Sequence, residues 1–138
     1  MLKKYKSNKN GFTLVEVIVV LVILAILAAI SFPALTGYID RANEAAAIEY
    51  GRTVLIAAQT LASKEYSAGT KPKDIAISDT EIANLSACDK IYLNGPVTLN
   101  ENTAKVEAFK VYYSPDGASP GPASKIISYT IAGGFIVS

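Results

Sequence analysis

The 138 residues contain one cysteine, Cys88, and no histidine. A single thiol forms no intrachain disulfide, so the fold must rest on packing, and Cys88 is expected as a small buried hydrophobe. Without histidine the chain lacks the commonest general base and metal ligand. It also lacks a glycine-rich phosphate loop and any Ser/His/Asp set. No enzyme, no cofactor and no metal site is expected. Asp74, Asp79 and Asp89 offer carboxylates of the kind that hold Ca²⁺, but scattered loop acids read better as solvated side chains. Acidic residues are missing from the first eleven positions, which carry Lys3, Lys4, Lys6 and Lys9. With those four removed, 9 basic side chains face 12 acidic ones in the remainder. A mildly acidic body gives no reason to expect nucleic-acid binding, which depends on clustered positive charge. Between Gly11 and Gly37 there is no glycine, and from Val17 to Ile30 there is no polar side chain.

That last absence is the strongest physical signal in the chain. Phe12 to Pro33 is 22 residues, or roughly 33 Å of helix, enough to cross the apolar core of a bilayer. The β-branched run through Val15, Val17, Ile18, Val19, Val20, Val22 and Ile23 would suit a strand in water. In lipid a lone strand leaves its backbone groups unpaired, so the segment must be helical. The lysines ahead of it hold the first residues on the cytoplasmic side. A cleaved secretory signal also has a basic start and an apolar run. Here, however, Glu16 sits inside the apolar part, and the helical pattern continues beyond Ser31.

From Asp40 to Tyr66 the pattern is that of an amphipathic helix. Ala42, Ala45, Ala46, Ile48, Val54, Leu55, Ala58, Leu61 and Ala62 recur at spacings of three and four, as expected for a buried face. Gly51 weakens this helix by about 1 kcal/mol without ending it. Residues 67–138 read as loops and short elements. Ser78 to Leu85 reads as a short helix, with Ser78 or Asp79 as cap and Glu81 near its start. Asn94-Gly95, flanked by Lys90–Leu93 and Pro96–Leu99, is a strong turn signal. Alternation over Val106–Tyr113 sets Phe109, Val111 and Tyr113 against Val106, Ala108 and Lys110. Lys125–Ile131 alternates likewise, and a last strand covers Phe135–Val137. The simplest assembly is an antiparallel sheet with one face on the helix.

Lys9-Asn10-Gly11-Phe12-Thr13-Leu14-Val15-Glu16, running directly into the apolar segment, resembles the leader of type IV prepilins and of the pseudopilins of type II secretion. The resemblance covers residues 1–40. It implies a fold class: α+β, with a long N-terminal helix, half transmembrane and half amphipathic, packed on a small antiparallel sheet. It implies a cleaved leader at 1–11, a membrane and filament-core helix at 12–39, and a globular domain at 40–138. Cleavage falls between Gly11 and Phe12, where a residue without a side chain lets a protease approach the backbone closely. Phe12 is then N-methylated by the same peptidase. Glu16 matches the family's acidic fifth mature residue and is expected to pair with the new amine. Pro33 stands where many members carry a helix-bending proline, and it deprives the Ala29 carbonyl of its donor. The implied partners are further copies of the chain in a helical filament, the prepilin peptidase and N-methyltransferase, the membrane-bound assembly machinery, and the bilayer before assembly. The resemblance therefore implies a type IV pilus subunit or, alternatively, a pseudopilin of type II secretion or competence DNA uptake.

Overall fold

The computed structural model describes residues 11–88, 91–114, 119–122 and 124–138. One helix, α1 (Leu14–Ser67), dominates it with 54 residues. The chain divides into two compact units, at Asp40 and Arg41.

Among the described residues of the first unit every large apolar side chain is exposed, from Phe12 and Leu14 through the valines and isoleucines to Leu35 and Ile39. No stripe is hidden and no polar stripe faces water. A helix that is apolar all round belongs in lipid or in a packed core. Among the described residues it is the one helix long and apolar enough to cross a membrane. Helix continues unbroken through Pro33. Side-chain hydroxyls bond to the backbone on either side: Ser31 Oγ donates to the Leu27 carbonyl at 2.8 Å and Thr36 Oγ1 to the Pro33 carbonyl at 3.0 Å. Such i−3 and i−4 back-bonding satisfies a hydroxyl where no water is available.

The second unit, Arg41–Ser138, holds the core. The remainder of α1 buries Ala47, Gly51, Val54, Ala57, Ala58 and Ala62. Ala42, Ala45 and Ala46 are exposed, contrary to the face expected from spacing. Alanine fits either face of a helix, so the sequence pattern cannot place it, whereas burial along α1 begins only at Ala47. A short 3-10 turn (Pro72–Asp74) leads to α2 (Asp79–Ser86). Of the two candidate caps it is Ser78 that serves: its Oγ accepts from the Glu81 N–H, and the Glu81 carboxylate accepts from the Ser78 N–H at 3.1 Å, closing a capping box. α2 sends Ile82 fully into the core.

Five antiparallel strands follow: β1 (Tyr92–Leu93), β2 (Thr98–Leu99), β3 (Val106–Tyr113), β4 (Lys125–Thr130) and β5 (Gly134–Val137). Their order is β1-β3-β4-β5, with β2 also on β3. β1 and β2, on either side of Asn94-Gly95, both pair with β3, Leu93 opposite Val111 and Thr98 opposite Ala108. Asn94-Gly95 therefore turns the chain out of one interrupted edge strand. That interruption blunts the sheet edge against pairing with another chain. A second departure lies at the start of β3. Leu99 opposes Val106 and Thr98 opposes Ala108, so Glu107 is an extra residue, a bulge. The bulge breaks the two-residue alternation and turns Val106 to the same side as Phe109 and Val111, all three buried. Cys88 is half-buried, packed against the edge of this core.

Gln59 ties α1 to the sheet, with its Oε1 accepting from the Val106 N–H at 2.9 Å. Tyr50 packs on Tyr113 with ring centroids 5.4 Å apart. Burial, and then the negative forms of Cys88, Asp79, Tyr113 and Tyr92, push the Tyr50 hydroxyl up from 10.0 to about 12. A raised pKa favours the protonated fold. The resulting stability is complete below pH 10 and is lost as pH rises toward 12. Alkaline titration followed by circular dichroism should show cooperative loss of structure in that window, with a weaker pH dependence for Tyr50→Phe.

Candidate functional site

The start of α1 gathers three of the four predicted site residues. Gly11, Phe12 and Thr13 precede the first helical turn in non-helical conformation. A Cβ added to Gly11 would meet nothing within 4 Å, and Phe12 is 89% exposed. The Gly11–Phe12 bond thus lies in open, unpaired chain just ahead of the helix, where a protease can take it in extended form. Polar residues and glycine favour that conformation here, and the apolar run after them imposes helix.

Glu16 sits on the first turn and is held there by Thr13. Its Oε2 accepts from the Thr13 N–H at 2.8 Å and from Thr13 Oγ1 at 2.9 Å. Thr13 Oγ1 in turn accepts from the Glu16 N–H at 3.3 Å. This is a capping box: it satisfies two of the helix's orphan donors and sets a carboxylate at the positive end of the helix dipole. The Thr13-x-x-Glu16 spacing carries this signal in the sequence, yet Thr13 was not among the predicted site residues. Removing residues 1–11 leaves the box whole, because the Thr13 N–H remains an amide. The box uses Oε2, and among the described residues Oε1 takes no hydrogen bond. Oε1 is thus free to meet a cation.

Pro33 is not part of this cluster. It lies further along α1 and the structure brings no other predicted site residue to it. Among the described residues no group of carboxylates or thiols is arranged to hold a metal. Asp79 Oδ2 instead accepts from the Leu93 N–H at 3.1 Å, tying α2 to β1. Asp89 and the four leader lysines lie outside the described residues.

The prokaryotic N-terminal methylation motif matches residues 6–32. The match spans Gly11, Phe12 and Glu16 and stops one residue short of Pro33. No curated protein and no solved structure matches the chain. The motif, joined to a long apolar helix and a five-stranded antiparallel sheet, supports a type IV prepilin or pilin-like protein with an α+β pilin-like fold. The same features fit a single-pass membrane protein.

Proposed function

We propose that the chain is the structural subunit of a type IV pilus. The prepilin peptidase removes residues 1–11 and methylates the Phe12 amine. The helix over 12–39 holds the subunit in the cytoplasmic membrane until the assembly machinery draws it into a helical homo-oligomer on the cell surface. The domain at 40–138 then forms the outer wall. It performs no catalysis. Glu16 supports this reading most strongly. An acid at the head of an otherwise apolar helix is costly and marks function, and it stands four residues from the amine that cleavage would create. Pairing with that amine, in its own or a neighbouring subunit, offsets the cost only in the correct register. Pro33 adapts the helix to its packing in the filament. The pseudopilin reading shares the same N-terminus. Electron microscopy of cells lacking the gene separates the two: the pilus reading predicts loss of long surface filaments, restored by the intact gene. Unchanged filaments together with a secretion defect would favour the pseudopilin.

A further inference from the structure

We propose that Asn94 is a site of spontaneous deamidation, converted with water to aspartate and isoaspartate. The inference does not depend on the filament reading. Asn94 and Gly95 form the turn that leaves the sheet edge between β1 and β2. The backbone of Asn94 is anchored, its N–H donating to the Lys110 carbonyl at 2.8 Å. Beyond that bond the turn is open. Gly95 is exposed, has φ +109°, and has nothing within 4 Å of where a Cβ would stand. Among the described residues, none accepts a hydrogen bond from the Gly95 N–H and none holds the Asn94 side chain. Pro96 follows, so the next position has no N–H to order the turn.

The chemistry needs those freedoms. The Gly95 amide nitrogen, losing its proton to base, attacks Cγ of Asn94. A new N–Cγ bond forms, the Cγ–Nδ2 bond breaks, and ammonia leaves, giving a succinimide. Water then opens the ring at either carbonyl. One opening restores the backbone with an aspartate; the other routes the backbone through Cγ as isoaspartate. The sum is asparagine plus water to a carboxylate plus ammonia, with no change of oxidation state. A side chain on residue 95 would hinder the attack, and glycine does not.

The fold denies the same path to the other described asparagines. Asn43 and Asn84 lie within α1 and α2, where the following N–H is engaged in the helix. Asn100 Oδ1 accepts from the Asn102 and Thr103 N–H groups, while its Nδ2 donates to Glu107 at 2.8 Å. Asn102 precedes Thr103, whose N–H is held by Asn100. Asn10 also precedes a glycine, but it lies outside the described residues, in the segment expected to be cleaved. Lys110 lines the same groove as Asn94 and supplies a cation beside the new carboxylate.

The test uses the full chain in detergent, kept folded in mildly alkaline buffer and sampled over weeks. Tryptic peptide Ile91–Lys105 holds Asn94, Asn100 and Asn102 together, so fragmentation compares the three directly. The expected result is conversion of most Asn94 while Asn100 and Asn102 stay intact, with isoaspartate detected by isoaspartyl methyltransferase labelling. The Asn94→Gln chain, verified as folded by circular dichroism, should lose that label. Two results would each overturn the proposal. One is Asn94 intact in the folded chain over a time in which the free peptide converts. The other is conversion at Asn94 no faster than at Asn100 and Asn102.

Discussion

A Glu16→Val chain is expected to reach the membrane normally, to be cleaved, and to yield few or no filaments. Membrane residence depends on the apolar run, which the substitution lengthens. A charged side chain costs about 2.5–3.5 kcal/mol at the centre of a membrane helix and less toward its ends, so Val should insert at least as well as Glu. What disappears is the only acidic side chain between Phe12 and Ile39, the one proposed to meet the Phe12 amine. In a packed core that amine would then be buried without a partner, a loss of about 3–5 kcal/mol per subunit. Repeated at every subunit, this is enough to stop assembly. Glu16→Gln preserves shape and hydrogen bonding to Thr13 but not charge, so it isolates the ionic part. Membrane fractionation checks the first expectation, and counts of sheared filaments check the second. Wild-type filament numbers from Glu16→Val would remove Glu16 from assembly.

The second large effect is expected at Gly51. A Cβ there would stand 2.9 Å from Ile127 Cγ2 and 3.0 Å from the Phe135 ring. Ile127 is fully buried in β4 and Phe135 packs against Phe109 and Tyr129, so neither yields easily. Gly51 therefore sets how closely α1 approaches the sheet. Gly51→Ala gains about 1 kcal/mol of helix propensity but overpacks the contact by about 1–3 kcal/mol, for a net loss near 1 kcal/mol. Gly51→Val adds a branched side chain in the same space and should cost about 3 kcal/mol or more. In a unit of this size that lowers the thermal midpoint by at least about 12 °C. Gly37, on the same helix, has nothing within 4 Å of its missing Cβ, so Gly37→Ala should not lower the midpoint. Thermal melts of the three variants in detergent decide the matter. A Gly51→Val chain as stable as wild type would show that the sheet does not need this approach.

Gly51 also marks where the sequence stopped being legible. From composition it reads as a weak point in a helix, and only the position of β4 and β5 shows that it is a contact. The α+β layout, the apolar helix and the short helix from Ser78 were readable, because each rests on local patterns with a definite period or spacing. Ala42, Ala45 and Ala46 misled, since alanine matches a buried face without requiring one. Asn94-Gly95 was readable as a turn, but not that its two flanking strands both pair with β3, because pairing partners are chosen by tertiary packing rather than by the turn alone. The same holds for Val106, which a bulge at Glu107 moves to the core side. At the site, Gly11, Phe12 and Glu16 were legible as residues. Thr13 went unnoticed although its capping-box spacing to Glu16 stood in plain view, overshadowed by the apolar run that begins there.

The central claim concerns where the mature chain begins, and its intact mass measures that directly. Membrane fractions of a strain expressing the chain, analysed by mass spectrometry with N-terminal fragmentation, should show residues 12–138 carrying one methyl group on the Phe12 nitrogen. A chain still beginning at Met1, in cells that process other prepilins, would contradict the account and leave an ordinary membrane-anchored domain.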